Sequence, residues 1–291
     1  MIPAQFDYVR PGDLDETLAI LRDREGEAKL LSGGYSLIPL IKLRLAQPGL
    51  LVDISRLEGL DGIVETDDHL AIGAKATHRR IHDDPTVQDR YPGIVDLTAV
   101  IGDPQVRNWG TIGGSVAHAD PASDWPALLL AAHATMVCRS ASGQREIGAR
   151  DFFLDTFQTA LEPTEILTEI RFPRRSKRAG GAYTKFERKV GDFATCGVAA
   201  VVRLTEDGTI EAVGIGVTGI AETPFAATDA EAALSGQRPS EEVFRAAGQA
   251  AGGQARPVAD VRGPVDYKRA LAAEMAVRSL RSATQRALAF A

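Results

Sequence analysis

"LLSGGYSLIPL", residues 30–40, carries a short apolar run onto two adjacent glycines, Gly33 and Gly34, with the hydroxyls of Ser32 and Ser36 on either side. Glycine admits positive φ and lets a ligand come within hydrogen-bonding range of bare amides. Successive amides in a turn form a nest for an anion. The same chemistry recurs in "NWGTIGGSVAHADPASDWPALLL", residues 108–130, where Gly113-Gly114 is flanked by Thr111 and Ser115. One nest suits a single phosphate. Two, joined by the hydroxyls of Ser36, Thr111 and Ser115, suit the pyrophosphate of a dinucleotide. On pattern alone, either glycine pair reads equally as a turn or a bulge.

Better-known motifs do not fit. The chain has no G-x-x-x-x-G-K-[ST], and Gly33-Gly34 lacks the G-x-G-x-x-G spacing of the Rossmann fingerprint. Ile38 stands where a nucleophile elbow needs its closing glycine, which disfavours a serine hydrolase. His118, Asp120 and Asp124 are closely spaced, but Pro121 interrupts them and no His/Cys cluster completes a metal site. Asp124 reads as a helix N-cap with Pro126 in the first turn. Carboxylates placed here suit the hydroxyls of a ribose or ribityl chain.

Around these stretches the chain reads as mixed helix and strand. Asp13 caps a helix with Glu16 at the third position and Leu14, Leu18 and Leu21 as its apolar stripe. Residues 50–55, 69–78 and 165–173 read as strands. "RRSKRAGG" (174–181) reads as a linker or a solvated loop. Strands follow in "GAYTKFERK" and in "CGVAAVVRLTEDGTIEAVGIGVTGI", with Glu206-Asp207-Gly208 as a hairpin turn. Val265 to Ala289 is a long helical pattern. The chain therefore divides near residue 177.

Composition narrows the function. With 291 residues there is enough chain for two domains and a sizeable core, and a formal charge of -6 disfavours a nucleic-acid partner. No apolar run approaches the ~18 residues of a membrane span, and the N-terminus lacks a basic segment followed by an apolar one, so a cytoplasmic chain is expected. Cys138 and Cys196, the only cysteines, lie in apolar surroundings and read as buried thiols. An iron–sulfur cluster takes about four thiolates, so none is expected within this chain.

"SGGYSLIPLIKLRL" with "VDIS", then "GTIGGSVAHADPASDWPALLLAAHA", then "YTKFERKVGDFATCGVAAVV", together resemble the FAD-binding medium subunits of the molybdenum hydroxylases, the xanthine dehydrogenase family. The likeness covers essentially the whole chain. It is greatest to the medium subunits of aerobic carbon monoxide dehydrogenases and of their relatives acting on aromatic N-heterocycles. It implies an α+β fold: a two-lobed FAD-binding domain of the PCMH type over residues 1–177, divided near residue 57, and a smaller C-terminal domain of antiparallel strands and helices over 178–291.

The resemblance also implies residue roles. Ser32, Gly33, Gly34, Tyr35, Ser36 and Leu37 would hold the pyrophosphate together with Thr111, Gly113, Gly114 and Ser115. Asp124 would reach the ribityl hydroxyls, with His118 and Asp120 among the cofactor contacts, and Leu167 would lie near the adenine. Lys185 would sit close to the flavin, and Asp192 and Phe193 would border its ring, which Phe193 can face by offset stacking. Without the resemblance, Lys185 and Arg188 read as solvated charges on an edge strand.

The implied activity is electron transfer. A large subunit would carry the molybdenum cofactor and a small one the [2Fe-2S] clusters, in a dimer of heterotrimers, with this chain passing electrons from FAD to an external acceptor. Two other readings stay open: a free-standing FAD oxidoreductase, and an assembly subunit that has lost its cofactor.

Overall fold

The computed structural model describes residues 2–290; Met1 and Ala291, the ends of the two expected domains, lie outside the described residues. Residues up to about 57 form β1 (Asp7–Val9), α1 (Leu14–Asp23), β2 (Ala28–Leu31), α2 (Leu37–Lys42) and β3 (Leu50–Asp53). The three strands pair in parallel in the order β1-β3-β2. Asp13 caps α1 by accepting from the Glu16 amide, but the Glu16 carboxylate reaches back to the Gly12 amide, one residue before the cap. Leu18 and Leu21 pack with Leu50, Val52, Ile54, Leu57, Leu60 and Ile166 in a core of their own.

The next stretch contains β4 (Ile63–Glu65), β5 (His69–Gly73), α3 (His78–Asp83), α4 (Pro85–Arg90), α5 (Pro92–Val100), α6 (Pro104–Trp109), α7 (Ile112–His118) and α8 (Trp125–Ala131). It continues with β6 (Thr135–Ser140), β7 (Gly143–Gly148), α9 (Ala149–Phe152), β8 (Phe153–Asp155), β9 (Gln158–Thr159) and β10 (Ile166–Pro173). Its main sheet runs β4-β5-β10-β6-β7, antiparallel throughout, and a second core forms between this sheet and the helices. The strand expected over 69–78 stops at Gly73. Beyond it the backbone leaves the sheet to bond the turn before α7: Ile112 N donates to Ala76 O, and His78 N to Gly110 O.

The third part has β11 (Ala179–Phe186), β12 (Cys196–Leu204), β13 (Ile210–Thr218), β14 (Phe225–Ala226), α10 (Thr228–Leu234), α11 (Glu241–Gln254) and α12 (Val265–Ala289). Its antiparallel sheet, in chain order, packs one face on α11 and α12 around a third core. The linker reading was too long by three residues, because Ala179, Gly180 and Gly181 are the start of β11, paired with Arg203, Val202 and Val201. The other face of this sheet takes α8. A Cβ on Gly216 would overlap the Ala127 carbonyl, so α8 and β13 touch backbone to backbone.

Candidate functional site

The two glycine stretches meet. A Cβ on Gly33 would overlap the Trp109 carbonyl oxygen, so only glycine lets the β2–α2 loop lie against the turn that starts α7. The Ser32 and Thr111 hydroxyls are hydrogen-bonded at 3.1 Å across this contact. Gly34 has φ +81°, a conformation L side chains rarely take, and turns the chain into α2. Among the described residues, the amides of Gly33, Gly34, Tyr35, Ser36 and Leu37 donate to no protein acceptor; the first paired amide is Ile38, bonded to Gly34 O. Five consecutive unpaired donors on a half-exposed loop make a receptor for an anionic ligand.

The second stretch works differently from its sequence reading. Gly113 and Gly114 are not an open nest but the first turn of α7. Gly113 N donates to Ala74 O, Gly114 N to the Thr111 hydroxyl that caps the helix, and Ser115 N to Thr111 O. Gly113 is bare because a Cβ would come 2.5 Å from that of Ala74. What this turn offers a ligand is hydroxyls and a close backbone. Ser115 Oγ lies 2.8 Å from Ser123 Oγ. His118 is about 9 Å further along the helix from Ile112. It packs on Phe157 with ring centroids 5.0 Å apart, and its pKa is lowered, first by burial. Asp120 accepts from the Ala122 amide in a local turn. Leu167 is buried in the second core, one residue from Thr168, whose carbonyl accepts from Ala74 N beneath Gly113.

Beneath the turn, Trp125 Nε1 donates to His78 Nδ1 at 3.1 Å, with the imidazole against Gly110. Burial, then the Arg107 charge, lowers the His78 pKa to about 3, so the ring is neutral with its proton on Nε2.

Asp124 stands at the N-cap position of α8, with Pro126 in the first turn as expected, but its side chain does not cap the helix. Its Oδ1 accepts from the Tyr183 hydroxyl at 2.5 Å and its Oδ2 from Lys185 Nζ at 3.2 Å. Residues 59 and 61 positions away took the carboxylate from the helix end. The Lys185 side chain is 2% exposed, so it is no solvated edge charge; its ammonium also donates to Val100 O and lies 3.2 Å from Glu187 Oε2. Burial raises the Asp124 pKa, against the pull of Lys185 and Tyr183. Burial, then Asp124, holds the Tyr183 phenol well above its ordinary range.

The loop after β11 closes over this cluster. Gly191 N donates to Glu187 Oε1, and Gly191 lies against the Gly102 carbonyl just ahead of α6. Asp192 Oδ1 accepts from the Phe193 amide, and the Phe193 ring is 50% exposed. Trp109, 65% exposed beside the Gly33 contact, is a further aromatic surface that the motif reading missed. Tyr183, Glu187 and His78 were missed as well. Alternation in "YTKFE" was a usable signal for the first two, since residues 183, 185 and 187 fall on one face of a strand.

A parallel lobe, an antiparallel lobe and an unpaired-amide loop at their junction define a two-lobed fold with a receptor for an anionic ligand such as a nucleotide's diphosphate. Residues 4–175 match the FAD binding domain in molybdopterin dehydrogenase, and residues 181–283 the CO dehydrogenase flavoprotein C-terminal domain. The chain belongs to the FAD-binding medium subunits of the molybdenum hydroxylase family. It is 41% identical to the carbon monoxide dehydrogenase medium chain of Hydrogenophaga pseudoflava, over 98% of this chain and 99% of that one. It is 36% identical to the 6-hydroxypseudooxynicotine dehydrogenase complex subunit alpha of Paenarthrobacter nicotinovorans, over 99% and 97%. The solved carbon monoxide dehydrogenase from Hydrogenophaga pseudoflava which lacks the Mo-pyranopterin moiety of the molybdenum cofactor superimposes with a TM-score of 0.95 at 43% identity, covering 98% of this chain and 99% of that one. The chain is an oxidoreductase subunit with an FAD-binding domain.

Proposed function

We propose that this chain is the electron-transfer subunit of a molybdenum-containing hydroxylase or dehydrogenase, taking electrons from [2Fe-2S] clusters on a small partner subunit and delivering them to an external acceptor. An aerobic carbon monoxide dehydrogenase is the reading best supported for the whole complex, given 41% identity along the full chain. The likeness to a 6-hydroxypseudooxynicotine dehydrogenase subunit favours, second, a complex acting on an N-heterocycle or aldehyde. The complex is a cytoplasmic dimer of heterotrimers in this reading, with substrate chosen on the molybdenum subunit. No helix among the described residues is long and apolar enough to cross a membrane. Within the chain, a division near residues 57 and 177 gives each part most of one core, with Leu60 and Ile166 completing the first and Tyr183 and Ala199 the second.

The observation that carries the proposal is the run of unpaired amides from Gly33 to Leu37. It fits a diphosphate: five donors match acceptor oxygens that no protein group here supplies. Thr111, Gly114 and Ser115 would complete that end, Asp124 and Lys185 the middle, and Asp192 and Phe193 the border of the ring. FAD, when bound, supplies the capacity to take up and release electrons singly or in pairs. The protein's part is to hold it, shield it and set its potential. Cys138 and Cys196 are buried, and burial pushes both thiols to about 12, so neither is a thiolate ready to ligate iron.

The test is an absorption spectrum with cofactor and metal analysis of the complex that co-purifies with this chain. FAD together with molybdenum and iron–sulfur signals is expected. FAD alone on a catalytically active single chain would overturn the proposal in favour of a free-standing flavoenzyme, and a colourless chain would do so in favour of an assembly role.

A further inference from the structure

The Lys185 ammonium does not stand alone. It lies between two carboxylates, 3.2 Å from Asp124 Oδ2 and 3.2 Å from Glu187 Oε2, inside a pocket closed by the Val100 carbonyl. Asp124 is held in turn by the Tyr183 hydroxyl at 2.5 Å. Two carboxylates and one ammonium make the cluster formally negative by one charge, and its burial leaves that charge weakly screened. Glu187 Oε2 is buried and makes no aligned hydrogen bond, so what it contributes to Lys185 is charge. Its other oxygen anchors the following loop through the Gly191 amide.

Among the described residues, the surrounding cations Arg286 and Arg188 are paired with carboxylates, while Arg107 is bonded to carbonyls and keeps its charge. Opposite Tyr183 on β12 is Ala199, and the Tyr183 hydroxyl lies over Gly197; neither carries charge. On the α5 side, Asp96 accepts from the Tyr183 amide and is paired with Arg286 of α12. Arg107 donates to the carbonyls of Ile101 and Gly102. Arg188 lies 3.5 Å from Asp192 on the loop, so that pair is also neutral.

We propose that Glu187 and Tyr183 are positioning residues for the flavin potential: Glu187 sets the net charge that Lys185 presents, and Tyr183 does so through Asp124. This rests on the reading that Lys185 lies beside the bound flavin. Neither residue needs to touch the cofactor. Reduction adds negative charge, and a cluster already negative opposes it. The cluster therefore holds the potential below the value that Lys185 alone would give.

The experiment is a spectroelectrochemical titration of the flavin in the purified complex, across a range of pH, for the wild type and Lys185→Met, Glu187→Gln, Glu187→Asp and Tyr183→Phe. Glu187→Gln keeps an acceptor for the Gly191 amide and removes only charge. Its flavin should be easier to reduce, by about tenfold in the ratio of reduced to oxidised at a fixed solution potential. Glu187→Asp keeps the charge and should stay nearer the wild type. Tyr183→Phe removes a donor from buried Asp124 and raises its pKa further. Below that pKa Asp124 is neutral and the flavin easier to reduce; above it Asp124 is ionised and the curve rejoins the wild type. The step should lie at higher pH than in the wild type.

Failure of the underlying reading has a separate signature: Lys185→Met that keeps FAD and leaves the potential unchanged removes the flavin from Lys185. If Lys185→Met lowers the potential while Glu187→Gln and Tyr183→Phe both match the wild type at every pH, the positioning proposal is overturned. A purely structural role would change FAD content or melting temperature without moving a pH step.

Discussion

At Gly33 the absent side chain is what lets two segments, 76 positions apart from Gly33 to Trp109, share one surface. Gly33→Ala forces the Trp109 carbonyl away, and because both groups are backbone neither has a rotamer through which to yield. A loss of about 1–3 kcal/mol of stability is expected, together with weakened FAD retention, read by chemical denaturation and by the absorbance ratio of flavin to protein. Residue chemistry was legible in part. The hydroxyl and glycine composition at 32–36 pointed to an amide-lined loop, and the structure has one. The matching inference at Gly113-Gly114 failed because Ala74 and Thr111 take those amides, and spacing along a chain does not reveal a partner 39 residues away. At Asp124 the N-cap position was legible, but not the Tyr183 phenol that takes its carboxylate from the helix end.

Among the elements, α8 does most to link the cores, since it carries Asp124 at its start, buries Trp125 and lies flush on β13. Gly216→Ala would wedge β13 from the Ala127 carbonyl and tilt the end of the helix that meets Tyr183. We expect a melting temperature lower by several degrees, about 1–3 kcal/mol, and a flavin absorbance spectrum altered in shape where the protein still holds FAD. The secondary structure most legible in sequence had a strong pattern: α12 spans Val265–Ala289 as expected, β10 covers the alternating run 166–173, and β12 and β13 form the two strands read on either side of the Glu206-Asp207-Gly208 turn. The extension of β5 to residue 78 was misread because 74–78 does bond extended backbone, at the turn before α7 rather than in its own sheet.

For the molecule as a whole, the His78–Trp125 pair ties stability to pH. His78 is neutral in the fold with a pKa of about 3, against an ordinary value near ~6.5 when unfolded. Its contribution is complete above the unfolded value and is lost as pH falls toward the folded one, because only the unfolded chain binds the proton in between. Stability should fall by up to about 1.4 kcal/mol per pH unit across that window. Equilibrium denaturation followed by Trp125 fluorescence should show that slope, and His78→Gln, which keeps an acceptor for the indole, should reduce it. The first core and the second each have their own sheet, and Ile166 at the start of β10 reaches from the second sheet into the first core. Between them the glycine contact and the Ser32–Thr111 bond form a narrow seam, and the unpaired amides lie along it. A cofactor seated on those amides would therefore be a rivet as well as a carrier, adding its own contacts to a seam that Ile166 and the Lys75–Leu57 bond already hold.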